Sequence, residues 1–178
     1  MRGRILVVAV IVLLTAGCAS ASSGASGSST TEAPLPAGLH PSQIAKMVCQ
    51  KEAHDDIDSA LGETATVSIP TWADHLYSCR YGYPTGSIEL SIKELSSWKQ
   101  TTDYFNGLGT RMGKTRVLQG LGQGAFQTTD GSVVVRKDWK VLLVDISGLP
   151  AQFGVPPTSS GDVAVTVGDV ILGCWEGD

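Results

Sequence analysis

The stretch HLYSCRYGYPTGSIELSIKEL, residues 75–95, constrains the fold of this chain more than any other. Tyr77, Cys79, Tyr81 and Tyr83 occupy every second position, so in an extended chain they share one face. Ile88, Leu90 and Ile92 repeat that alternation beyond Pro84, Thr85 and Gly86, which are turn-forming residues. Two alternating runs about a tight turn form a β-hairpin. The chain therefore contains an antiparallel sheet with at least one apolar face.

The remaining segments fit around that hairpin. Residues Ser42 to Leu61 have helical periodicity, but the apolar residues change face. Ile44, Met47 and Val48 share one side, and Cys49, Ala53, Ile57 and Ala60 another. The pattern predicts a short lead-in helix and a second helix over Lys51 to Leu61, stopped by Gly62. Thr64 to Ile69 alternates and is rich in β-branched residues, which predicts a strand ended by Pro70. Trp98, Thr101, Phe105, Leu108 and Met112 lie on one stripe of a helix, with Ser96 or Ser97 as its cap. Gly107 and Gly109 weaken its last turns. Three strands follow Gly120, with turns at Asp130-Gly131 and in Arg136 to Lys140. Val133 to Val135 and Val141 to Val144 are continuous apolar runs, the mark of central strands. Val163, Val167, Val170, Ile171 and Cys174 have helical spacing, with Ser160 as cap and Asp162 favourably placed in the first turn.

Sequential hairpins with helices before, between and after them make an α+β domain. The expected architecture is a single domain with an antiparallel sheet of about five to six strands and helices packed on one face.

The first residues carry a different signal. Arg2 and Arg4 precede an uncharged apolar run, Ile5 to Leu14, shorter than the about 20 residues that a membrane-spanning helix needs. This is the pattern of a secretory signal. The sequence LTAGC at its end resembles the bacterial lipobox. That resemblance implies cleavage after Gly17 and a diacylglyceryl group on Cys18. Two acyl chains hold a protein firmly, since each buried methylene contributes about 0.8 kcal/mol. The Ser/Ala/Gly run after Cys18 has the composition of a flexible coil, and the prolines of APLPAGLHP stiffen its far end. The chain thus divides into a signal peptide, 1–17, a lipidated cysteine with its tether, 18–41, and a globular extracytoplasmic domain, 42–178.

Without Arg2 and Arg4 the chain carries 11 basic and 17 acidic residues, a formal charge of −6. Such a domain, with no Lys/Arg cluster evident in its sequence, is not built for nucleic acid or anionic lipid. Of four cysteines, lipidation would occupy Cys18. Cys49, Cys79 and Cys174 remain, which allows one disulfide and one further thiol in an oxidising compartment. No CxxC pair is present to support a zinc ribbon or a thioredoxin-like site.

Several groups of residues are candidates for chemistry. GLGQGAF, residues 120–126, is glycine-rich like a phosphate loop, but lacks the Lys and Ser/Thr of one and leads into a strand; it is better read as a tight turn. Glu52, His54, Asp55, Asp56 and Asp58 form an acidic cluster in which only His54 and Asp58 share a helix face as ligand types; a solvated face explains it more simply, and no metal site is expected. His75, beside Asp74, is the candidate base of a hydrolase, but no GxSxG elbow accompanies it. Cys174 sits on an apolar stripe, where cysteine behaves as a small hydrophobe. The aromatic residues offer more. Trp72, Tyr77, Tyr81 and Tyr83, with His75 beside them and Trp98 further on, would make a binding surface on a wet sheet face. The plainer alternative packs these rings beneath helices.

Several features together resemble the small cell-envelope lipoproteins of actinobacteria. They are the lipobox, the Ser-rich tether, a helix after Cys49 ending in Ala60-Leu61-Gly62, the stretch Tyr77 to Tyr81, and Gly120 to Phe126 before two apolar strands. The resemblance spans Cys49 to Trp175. It implies a disulfide from the first helix to the sheet, Cys49 to Cys79, with Cys79 to Cys174 as the alternative because Cys174 departs from the simpler pattern. It carries no activity with it. The function expected is that of a binding or interaction module, lipid-anchored on the extracytoplasmic face of the cell membrane. Its ligand would be an envelope protein, glycan or lipid, with no catalytic residue and no cofactor. An accessory structural subunit of an envelope complex is the alternative, and a hydrolytic enzyme stands behind both.

Overall fold

In the computed structural model, which describes residues 34–175, the alternating stretch becomes strands β3 (Leu76–Tyr83) and β4 (Gly86–Glu94). Pro84 and Thr85 form the turn between the paired residues Tyr83 and Gly86. The register sets Tyr81 across from Ile88, Cys79 across from Leu90 and Tyr77 across from Ile92. The leader, Cys18 and residues 19–33 of the tether lie outside the described residues.

Before the hairpin come helices α1 (Gln43–Met47) and α2 (Lys51–Leu61) and two short strands, β1 (Thr66–Val67) and β2 (Thr71–Ala73). After it come α3 (Trp98–Met112), β5 (Lys114–Leu118), β6 (Gly124–Thr128), β7 (Val133–Lys137) and β8 (Lys140–Gly148). A small pair, β9 (Gln152–Phe153) and β10 (Thr158–Ser159), precedes α4 (Ser160–Cys174). The main sheet has eight strands in the order β1-β3-β4-β8-β7-β6-β5, with β2 also paired to β3, and every pair is antiparallel. The protein is thus a single α+β domain, with a larger sheet than the sequence predicts. The additional strands are β2 and β5. Four of the five residues of β5 are exposed, so no apolar alternation betrays it.

The helices divide between the two faces, where the sequence reading places them on one. Leu142 and Val144 of β8 point into the core shared with Ile57 of α2 and Val163, Val167 and Ile171 of α4. Val141 and Leu143 point the other way, into a second cluster with Phe105 and Leu108 of α3. Phe105 meets Phe126 edge-on at 4.8 Å there. A strand apolar on both faces needs cover on both. The runs Val133–Val135 and Val141–Val144 therefore require α3 opposite α4.

Local chemistry fixes the helix ends. Ser42, Ser97 and Ser159 cap α1, α3 and α4 with their hydroxyls, Ser159 taking the role expected of Ser160. Gly62 ends α2 at φ 65°, a conformation that favours glycine. The valine-rich α4 is helical because its buried residues, among them Ala164 and Gly168, form one stripe against the sheet. A disulfide joins Cys49 to Cys79 and pins the junction of α1 and α2 onto β3. Such a bridge contributes typically about 2–4 kcal/mol.

The chain before α1 also lies on the domain. Ala37 N–H donates to Leu95 O at 3.1 Å, the Trp72 indole donates to Leu39 O at 3.1 Å, and Ser42 N–H donates to Glu94 Oε1 at 3.1 Å. Residues 37–42 form a strap over the ends of β2 and β4.

Candidate functional site

The aromatic row faces inward. Tyr81 is fully buried, and its hydroxyl donates to Val48 O at 2.7 Å. Tyr83 is buried against Phe153, with ring centroids 4.8 Å apart. Its hydroxyl is buried and has no hydrogen-bond partner among the described residues. Burial, reinforced by Tyr83 and Asp58 in one case and by Asp58 and Glu63 in the other, pushes both phenols well above their ordinary pKa. Tyr77 is half-buried, and burial raises its phenol too. Tyr81 and Tyr83 are therefore core residues, which corrects their expected place on a binding surface. The disulfide explains the outcome: by fixing Cys49 to Cys79, it draws the α1–α2 junction onto this face.

Trp72 is half-buried and spends its indole N–H on the strap. His75 is exposed beside it, edge-on with ring centroids 5.8 Å apart. Asp74 and His75 form the β2–β3 turn at φ 51° and 58°, both in the left-handed region. Glu94 N–H donates to His75 O at 2.8 Å, and the Lys93 ammonium donates to Asp74 O, which holds the turn. The His75 ring makes no hydrogen bond among the described residues. Trp98 lies away from this group on α3, where the Arg136 guanidinium stacks 4.3 Å from its ring.

The other candidates have structural roles. His54 and Asp58 approach to 3.1 Å on α2, and both bind Ala65: the His54 ring meets its carbonyl at 3.0 Å and Asp58 accepts its N–H at 3.1 Å. Together they clasp the loop after α2. Glu52, Asp55 and Asp56 are exposed on the same helix. Among the described residues no group of three or more His, Cys, Asp or Glu side chains could hold a metal. In GLGQGAF, Gly122 has φ 55°, and a Cβ there would come within 2.8 Å of Arg136 O. The loop is a turn from β5 into β6, packed on β7. Cys174 is half-exposed at the end of α4, its sulfur 3.6 Å from Asp56 Oδ2.

Two concave sites stand out among the described residues. One, of about 390 Å³, lies beneath the strap and includes His40, Glu94 and Lys140. Glu94 and Lys140 are buried and face each other across β4 and β8. Glu94 is engaged by Ser42, so this cavity belongs to the anchoring of the strap.

The other lies on the outer face of the sheet, on the side of β3 and β4 away from the tyrosines. Arg80, Ser87, Glu89, Asp145, Ser147 and Gly148 line an open groove of about 180 Å³. The register places Glu89 directly between Arg80 on β3 and Asp145 on β8. Arg80 reaches Glu89 at 3.6 Å, with both side chains about half exposed (63% and 48%), so the ion pair is weak. On the other side two carboxylates sit on adjacent strands, an arrangement that costs stability. A register shift between Ser87 and Glu89 opens the floor, and Ser147 N–H donates to Asp145 Oδ1 at 2.8 Å. Gly148 lets the strands close up, since a Cβ there would lie 2.5 Å from Ser87 Oγ. Chemically the groove offers two carboxylates, a guanidinium and two hydroxyls. It can accept hydrogen bonds from hydroxyl or ammonium groups and hold them by charge.

The alternate positions Ser78, Arg80, Ser87 and Glu89 are polar in the sequence and mark this face as wet. The meeting of Glu89 with Asp145 has no sequence signal, because it depends on how β4 pairs with β8. No protein-family model, curated protein or solved structure matches the chain.

Proposed function

We propose that this protein is a lipid-anchored interaction module on the extracytoplasmic face of the cell membrane, of the kind found among actinobacterial envelope lipoproteins. Cys18 carries the anchor and the Ser/Ala/Gly segment carries the domain away from the bilayer. The module binds with the outer face of its sheet, and its ligand is an envelope glycan bearing hydroxyl and ammonium groups. The leader, the lipobox-like LTAGC and the acidic composition support the address.

One observation carries the binding reading. Glu89 and Asp145 are held side by side in an open groove, with a guanidinium on one side only. Opposed like charges destabilise a sheet by about 0.2–1 kcal/mol relative to neutral pairs. A ligand that donates hydrogen bonds to both carboxylates offsets that cost.

The test separates stability from binding. Asp145→Asn is expected to raise the melting temperature slightly and to weaken co-sedimentation of the purified protein with insoluble cell-wall polysaccharide. A variant that is stabilised and sediments as well as the parent contradicts the assignment of this groove.

A further inference from the structure

The two edges of the main sheet are built differently. Beyond β3 the edge is divided between β1 and β2, of two and three residues, with Ser68, Ile69 and Pro70 between them. That edge is short, and its proline cannot donate to a further strand. The other edge is β5, five residues without proline, paired on one side to β6 and, among the described residues, to no strand on the other. Lys114, Thr115, Arg116 and Val117 are all exposed there.

Charge is concentrated at the same edge. Among the described residues Arg111, Lys114 and Arg116 have no carboxylate within ion-pair distance, whereas Lys51 meets Asp55 at 2.5 Å, Lys99 meets Asp103 at 2.6 Å and Arg80 meets Glu89 at 3.6 Å. Lys114 and Arg116 thus bring two cations without a carboxylate partner to one edge of a domain whose net charge is negative, and Arg111 precedes them in the last turn of α3. Such charges also discourage a second copy from pairing edge to edge, since like charges would then face each other. The edge favours a strand of opposite sign.

We propose that β5 is a docking edge for an extended acidic segment of a partner protein, which adds to the sheet as a further strand. Main-chain hydrogen bonds to β5 supply the pairing, and side-chain charge supplies the selection. The register of β5 on β6, which shifts at a bulge between Lys114 and Arg116, sets the pattern. Val117 lies opposite Phe126, on the α3 face with Lys114, while Arg116 pairs with Gln127 on the α4 face. A fitting segment alternates, with acidic residues on the α4 face against Arg116 and apolar side chains on the α3 face against Val117, which is 53% exposed, while Lys114 adds attraction from the start of the strand. This edge is distinct from the groove on the outer face, and the proposal does not rest on a ligand there.

The experiment uses the full chain in detergent micelles. Its probes are a fluorescent peptide of alternating Glu and Val, a Lys/Val counterpart, and the Glu/Val peptide N-methylated at alternate residues. The Glu/Val peptide is expected to bind, to protect β5 amides from hydrogen exchange and to be released by salt. The Lys/Val and N-methylated peptides are expected not to bind. The variant Arg111→Glu/Lys114→Glu/Arg116→Glu, checked for folding by circular dichroism, should weaken Glu/Val binding by about tenfold or more. Val117→Pro should abolish it without loss of the fold. Equal binding of the N-methylated peptide, or binding without protection of β5, overturns the proposal. So does binding of phosphatidylglycerol vesicles through the same three cations with no binding of peptide.

Discussion

Arg80 and Tyr81 are neighbours in the chain and lie on opposite faces of β3. Tyr81 is fully buried, bonded to Val48 and packed edge-on against His54 at 5.7 Å. Arg80 is exposed over a groove that it shares with two carboxylates. The inner face of the hairpin is satisfied within the molecule, apart from the Tyr83 hydroxyl. The outer face keeps charges that the fold leaves incompletely matched. Mismatch on a wet face is available to a ligand, whereas mismatch in a core is only a cost.

Substitutions on the two faces should therefore behave differently. The largest effect is expected at Leu90, fully buried at the centre of β4. Leu90→Ala should lose about 2–5 kcal/mol in denaturant unfolding. Glu89→Ala, one residue away on the outer face, should lose almost nothing. Similar losses at both positions would mean that the outer face is structural.

Smaller effects distinguish the two buried tyrosines. Tyr81→Phe removes the hydroxyl bonded to Val48 O and should cost about 1–3 kcal/mol. Tyr83→Phe removes a buried hydroxyl that has no partner among the described residues and should be neutral or stabilising. Both phenols titrate above their ordinary value of 10.0 because burial opposes the phenolate. Below pH 10 the folded and unfolded states are equally protonated at these groups, so neither contributes a pH dependence there. As pH rises past about 10 the unfolded chain releases protons that the fold retains, and stability falls. Unfolding midpoints from pH 8 to 11 should show that fall in the parent and a shallower one in each Phe variant. The smallest effect is the gain of a few tenths of a kcal/mol expected at Asp145→Asn.

Much of the architecture is legible in residues 75–95, because a period of two fixes both strands and the turn. The helix stripes through Phe105 and Ile171, and the stop at Gly62, are equally plain. Alternation alone does not say which face is dry. The tyrosines invite a surface role, since their rings suit either environment, and the burial of Tyr81 follows from Cys49 being bonded to Cys79. The position of α3 is implicit in Val141–Val144, whose unbroken apolar run calls for cover on both faces. β5 was hidden because an exposed edge strand needs no apolar pattern. The groove was hidden for another reason: Glu89 and Asp145 come together only through the register of β4 on β8.

The most direct test is a chemical-shift map of the isotopically labelled protein titrated with soluble fragments of cell-wall polysaccharide. Shifts confined to the amides of Arg80, Glu89, Asp145 and Ser147 and their outer-face neighbours are the predicted result. Shifts elsewhere, with these amides unmoved at saturation, would contradict the claim that the outer face of the sheet is the binding face.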